Sequence, residues 1–216
     1  MDHELKDLKT GTTTVAVVYD KGVVLAADQR ASMGHIAYDE ESEKIYKINE
    51  IMGVTNAGNV GDSQMVIRFL KAQSKLYELE RNEKMTAKAA TNFLSNILNG
   101  NRYYPYIAQF LIASYNGKPE LFDLTPFGGY IERDKYAASG SGTEQALNTL
   151  DLGYRNGITE KDAVALAVSA VASGKRRDLY SGGKSITVFV VDDKGVNKVP
   201  QDKVEKVNKE VAPSHY

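Results

Sequence analysis

A chain of 216 residues, 42% hydrophobic and 25% charged, suits one domain with a full core or at most two small ones. Its formal net charge of −1 supplies no global positive field for nucleic acid or an anionic membrane. With no cysteine, disulfides, thiolate metal sites and cysteine nucleophiles are all excluded, and a reducing cytoplasm is compatible with the chain.

The N-terminus, M-D-H-E-L-K-D-L-K-T-G, is charged and lacks the apolar stretch of a signal peptide. Two β-branched runs follow, 14–19 and 23–27, separated by Asp20-Lys21-Gly22, and predict a hairpin. Strands are expected at 44–48 and 51–57, around the turn pair Asn49-Glu50. The period then changes. From a start between Gly58 and Asp62, Met65, Phe69, Ala72, Leu76 and Leu79 recur at helical spacing. Thr86 can cap a second helix, with Ala90, Leu94, Ile97 and Leu98 on one face and an end at Gly100.

Strands resume at 107–115 and 119–124, joined through Asn116-Gly117, and more strand is expected around 127–139. Helices follow near 143–151 and 160–173, the second opened by Thr159 and Asp162 and closed near Gly174. A last hairpin, 185–191 and 196–199, turns at Asp192-Asp193-Lys194-Gly195. Beyond Pro200 a polar, mobile tail is expected, although Val204, Val207 and Val211 can form one helical face. The longest apolar stretch, Ala163 to Ala172, is far shorter than the ~20 residues a membrane span requires, so a soluble intracellular protein is expected. Strands, two helices, strands, two helices and strands argue for antiparallel sheets covered by helices in one α+β domain.

The usual chemistries find little support. His3, His35 and His215 are scattered and match no metal-ligand spacing, and a triad with His35 as base lacks the G-x-S-x-G elbow. S-G-G-K-S at 181–185 has Asp178 where a P-loop needs glycine, and a strand follows it where a helix is needed. G-S-G-T at 140–143 lacks the third glycine of a dinucleotide fingerprint, and Arg176-Arg177 fits a solvated helix end. What remains is polar residues at strand ends. Asp28 closes V-V-L-A-A, Lys44 opens I-Y-K-I on the face of Tyr46 and Ile48, and Gly58 lies between a strand and a helix. Each alone reads as a turn carboxylate, a snorkelling edge lysine or a packing glycine.

Taken with K-T-G-T-T-T-V-A-V-V at 9–18, these residues resemble, in order, the β-subunits of archaeal-type 20S proteasomes, which are N-terminal-nucleophile hydrolases and threonine peptidases. G-T-T-T-V is similar to the family's cleavage site and mature N-terminus. V-V-L-A-A-D-Q-R-A-S-M-G, K-I-Y-K-I, N-A-G-N-V-G-D, R-Y-Y-P-Y, S-G-S-G and R-D-L-Y-S-G continue the series to the last hairpin. The resemblance implies Thr12 as nucleophile, Asp28 and Lys44 as its partners, Gly58 as the oxyanion N–H donor, and Ser141, Asp178 and Ser181 as supporting polar residues. It also implies cleavage between Gly11 and Thr12. Residues 1–11 would then be a propeptide, 12–200 one hydrolase domain and 201–216 a polar tail. Ala16 and Asn59 depart from the family's common glycine and serine. A substrate pocket is expected near Ala31, Tyr46, Asn56 and Val60, biased to bulky apolar residues before the scissile bond.

The chemistry follows from the N-terminus. A threonine hydroxyl needs a base, and an N-terminal threonine carries one, an α-amine of pKa about 7.7–8.0 in peptides. While residues 1–11 remain attached, that nitrogen is an amide, and by this resemblance the chain would be a proenzyme. Lys44, held by Asp28, would add positive potential favouring the alkoxide; direct and water-mediated proton transfer both fit.

The implied fold is a four-layer α/β/β/α sandwich of two antiparallel sheets flanked by helices. The implied assembly is a homo-oligomeric, heptameric β ring stacked on α-subunit rings, with an ATP-dependent unfoldase at the entrance. In the cytoplasm it would degrade unfolded polypeptides to short peptides inside a chamber, with no cofactor, metal, nucleic acid or membrane. The alternatives are another N-terminal-nucleophile hydrolase, such as a bacterial heat-shock peptidase or an amidase, and a non-catalytic ring scaffold.

Overall fold

Alternating β-branched residues build two sheets. The structure, a computed structural model, describes residues 11–34 and 36–211. The expected propeptide apart from Gly11, all three histidines and the last residues of the tail lie outside the described residues. β1 (Thr14–Tyr19) and β2 (Gly22–Asp28) form the expected hairpin, with Tyr19 opposite Gly22. With β10 (Tyr136–Ser139), β11 (Ile186–Asp192) and β12 (Gly195–Lys198) they make a sheet of order β10-β1-β2-β11-β12. The second sheet runs β5-β6-β7-β8-β9 in order: β5 (Ile45–Asn49), β6 (Met52–Gly58), β7 (Ala108–Tyr115), β8 (Pro119–Leu124) and β9 (Tyr130–Glu132). Neighbours in both sheets pair antiparallel.

Period-two alternation turns these sheets into layers. Val23, Leu25 and Ala27 of β2 meet Leu111 and Ala113 of β7 between the sheets, while Val24 and Ala26 face helices on the other side. Those helices are α3 (Thr143–Gly153), α4 (Glu160–Arg177) and α5 (Gln201–Val211). α1 (Val60–Arg81) and α2 (Ala87–Gly100) cover the second sheet, where Val66, Leu70, Leu94 and Leu98 pack on Val54, Phe110 and Phe122. The four-layer α/β/β/α sandwich is therefore the fold, and the first sheet carries the strand that follows Thr12.

Several elements differ from expectation for identifiable reasons. The 127–139 region is two strands, β9 in one sheet and β10 in the other, so the chain crosses between layers here. A short ribbon, β3 (Ala31–Met33) with β4 (Ile36–Asp39), stands apart from both sheets. Gly174 does not end α4; the helix runs through it to Arg177, with Asp178 as C-cap. That glycine serves packing instead: a Cβ there would lie 2.3 Å from Thr13 Oγ1.

The segment after Pro200 is a docked helix, because Val204 is buried and Val207 and Val211 pack on the first sheet's core. In α1 the buried stripe is Ser63, Val66, Ile67, Leu70 and Ser74, not the expected one. Phe69, Leu76 and Leu79 are exposed. Two helical stripes compete in this sequence, and two serines disguise the one that packs against the sheet.

Candidate active site

The site is assembled where β1, β2 and the ends of β5, β6 and α4 converge. Thr12 immediately precedes β1 and is 5% exposed. Its Oγ1 donates to the carbonyl oxygen of Gly11 at 2.7 Å. Lys44 Nζ reaches the same oxygen at 3.4 Å. Gly11 has no space for a side chain, since a Cβ would sit 1.5 Å from Tyr180 Cβ. Steric closeness thus restricts this position to glycine.

Asp28, the last residue of β2, is fully buried and accepts four hydrogen bonds. Oδ1 takes Thr13 N–H at 2.9 Å and Lys44 Nζ at 2.7 Å; Oδ2 takes Gly182 N–H at 2.8 Å and Arg30 N–H at 3.2 Å. Lys44 lies one residue before β5, where its carbonyl accepts Asn56 N–H at 2.9 Å. Burial pulls the Lys44 ammonium below its ordinary pKa, and the negative charge of Asp28 opposes that shift. The structure thus joins Thr12, Asp28 and Lys44 around the Gly11 carbonyl.

The supporting residues form a hydroxyl chain on the other side of Thr12. Ser141 Oγ accepts Thr12 N–H at 3.1 Å and donates to Asp178 Oδ2. Ser181 Oγ donates to the same carboxylate oxygen. With its proton so engaged, Ser181 accepts from Thr13 Oγ1 at 2.7 Å. Thr13 escaped the sequence reading because three consecutive threonines look like strand entry. Its packing marks it out: a Cβ on Gly142 or Gly174 would lie within 2.3 Å of its hydroxyl.

Gly58 closes β6 at φ +119°, and a Cβ there would lie 2.2 Å from the carbonyl oxygen of Ile107. It lines, with Thr12 and Lys44, a cavity of about 330 Å³. All four expected pocket residues, Ala31, Tyr46, Asn56 and Val60, line that cavity too. Asn56 is 7% exposed, and its Oδ1 has no hydrogen-bond partner among the described residues. Asn59, which stands where the family commonly has serine, uses its Oδ1 as the N-cap of α1, accepting Asp62 N–H at 3.2 Å. Ala16 is buried in β1 between the sheets, where its methyl is accommodated.

A sandwich of two antiparallel sheets between helical layers, with the first strand opening beside the Lys44–Asp28 pair, is the fold of the N-terminal-nucleophile hydrolases. Residues 8–191 match the sequence profile of the family described as Proteasome subunit. The chain is 40% identical over 209 residues to a proteasome subunit beta of Methanococcus vannielii, covering 95% of this chain and 94% of that one. It is 44% identical over 190 residues to proteasome subunit beta 1 of Pyrococcus furiosus, covering 88% and 96%. A proteasome subunit beta of Methanosarcina mazei is 41% identical over 207 residues, covering 95% and 97%. The chain belongs to the proteasome subunit family, as a 20S β subunit of archaeal type.

Proposed function

We propose that this β subunit is a threonine-type endopeptidase that matures by cutting its own chain between Gly11 and Thr12. One observation carries the reading: the Thr12 hydroxyl lies against the Gly11 carbonyl, with the Lys44 ammonium, itself held by Asp28, at the same oxygen. In maturation Thr12 Oγ attacks the Gly11 carbonyl carbon. The C–N bond breaks as the nitrogen takes a proton, and an ester remains until water cleaves it. Residues 1–11 depart, leaving a hydrolase domain that starts at Thr12 and includes the docked helix α5.

In the mature site the Thr12 α-amine takes the Oγ proton as Oγ attacks a substrate carbonyl. Gly58 N–H holds the developing oxyanion; a donor of this kind is worth roughly 3–4 kcal/mol. The proton passes to the departing amine, and water then hydrolyses the acyl ester. Lys44 keeps positive potential at Oγ, while Ser141, with Asp178 and Ser181 behind it, orients the amine.

The subunit works in a homo-oligomeric heptameric β ring stacked with α-subunit rings, fed with unfolded polypeptide by an ATP-dependent unfoldase in the cytoplasm. Among the described residues no helix is long and apolar enough to cross a membrane. Intact mass and covalent capture by a peptide epoxyketone, in protein assembled with α-subunits, test the reading together. Loss of residues 1–11 and a label on Thr12 are expected. Retained residues with no label would leave a scaffold subunit, and a labelled single ring without α partners would favour a bacterial-type peptidase.

A further inference from the structure

α4 ends in Lys175, Arg176 and Arg177, where positive charge complements the carbonyl end of the helix. The two arginines are exposed, but Lys175 is not. Its ammonium donates to the main-chain oxygens of Gly183 at 2.9 Å and Ser185 at 3.2 Å. No carboxylate of the described residues makes an ion pair with it. Giving up water for two neutral oxygens carries a desolvation cost that a solvated helix-end cation avoids. The segment it grips supplies the reason.

Residues 182–185 lie against the end of β2. Gly182 N–H donates to Asp28 Oδ2 at 2.8 Å, and its carbonyl accepts Gln29 N–H at 3.1 Å. Ser185 N–H donates to Gln29 Oε1 at 3.1 Å. Gly183 turns at φ +91°, where a Cβ would lie 2.7 Å from the Gln29 main chain. Between helix end and this segment come Asp178 and Ser181. The stretch 175–185 is therefore a loop closed on itself, with Lys175 Nζ as its clasp.

We propose that Lys175 is a positioning residue of the Thr12 site. By clasping the Gly183 and Ser185 carbonyls it fixes Asp178, Ser181 and Gly182 against Thr12, Thr13 and Asp28. An ammonium suits this task, because it presents several donors from one point on a flexible stem. The proposal rests on the threonine-peptidase reading, and its test separates the two.

In the assembled protein, Lys175→Met is compared with wild type by amide exchange over 178–185 and by hydrolysis of a fluorogenic peptide. Exchange in that loop should quicken about tenfold, and kcat should fall about tenfold or more with KM within about twofold, the scale of one charged hydrogen bond. The KM should hold because no pocket residue is touched. Lys175→Arg should recover most of the lost kcat. Unchanged loop exchange or a wild-type kcat in the methionine variant overturns the clasp. Should that variant not assemble, the order Lys above Arg above Gln in kcat supports the clasp, and equal values overturn it. Wild-type protein that takes no epoxyketone label on Thr12 sinks the peptidase reading instead, and loop exchange alone then decides whether Lys175 holds the segment.

Discussion

Thr13 and Thr14 are neighbours whose hydroxyls enter opposite layers, and each starts a chain of buried hydrogen bonds of different character. The Thr13 chain runs through Ser181 to Asp178, where Ser141 also donates while accepting from Thr12. It ends on a carboxylate, so every proton in it has a fixed direction. The Thr14 chain lies between the sheets: Leu111 N–H donates to Thr55 Oγ1 at 3.3 Å, Thr55 to Thr14 at 3.2 Å, and Thr14 shares a 2.6 Å bond with Ser139. All its members are neutral and buried. One chain holds the Thr12 nitrogen, the base of the proposed mechanism; the other satisfies polar groups in a core and pins β1 to its neighbours.

Changes at Thr12 itself should have the largest effect. Thr12→Ala should keep the fold yet abolish both loss of residues 1–11 and peptide hydrolysis, as read by intact mass and turnover; normal turnover would refute Thr12 as nucleophile. Lys44→Met should lower kcat by about 10²–10⁴-fold, and should destabilise by about 3–5 kcal/mol because Asp28 keeps its buried charge without a cation. Since burial lowers the Lys44 pKa, its positive charge is lost as pH rises through that lowered value. The alkaline limb of kcat should accordingly fall below the ordinary lysine range near 10.5.

The two chains can then be set against each other. Thr13→Val should cut kcat by about tenfold through a misoriented Ser181, a loss of about 1.4 kcal/mol, while denaturant midpoints move little. Thr14→Val should do the reverse, costing about 1–3 kcal/mol of stability by stranding Thr55 and Ser139, with kcat in the surviving fold unchanged. Equal effects on both readouts would erase the distinction.

Smallest is an effect far from both chains. Burial, and then the charge of Asp192, raise the Tyr19 pKa well above 10.0. The folded state holds that proton after the unfolded state has lost it, so stability is full below pH ~10 and declines as pH rises further. Tyr19→Phe should flatten that decline in denaturant titrations between pH 9 and 11.

Much of this was legible from residues alone. Alternating runs predicted most strands, and Thr86 and Thr159 cap α2 and α4 as their positions suggest. The stripe on α1 misled because Ser63 and Ser74, buried against the sheet, do not count as apolar. Asp28, Lys44 and Gly58 were each ambiguous alone, since nothing local tells a strand-end lysine that snorkels from one that turns inward. Their order along the chain, matched to a family, is what singles them out for the proposed site. Lys175 stayed hidden in a basic run whose two arginines do face solvent. Only the fold shows that its partners are the carbonyls of the following loop.

Asp28 receives N–H groups from Thr13, Arg30 and Gly182 besides the Lys44 ammonium, joining segments as much as 154 residues apart in sequence. Under the proposed mechanism, yield and turnover should therefore be inherited together at this position. A library selected only for expression should purge Asp28 variants as thoroughly as one selected for proteolysis, whereas Thr12 variants should survive the first selection and vanish in the second.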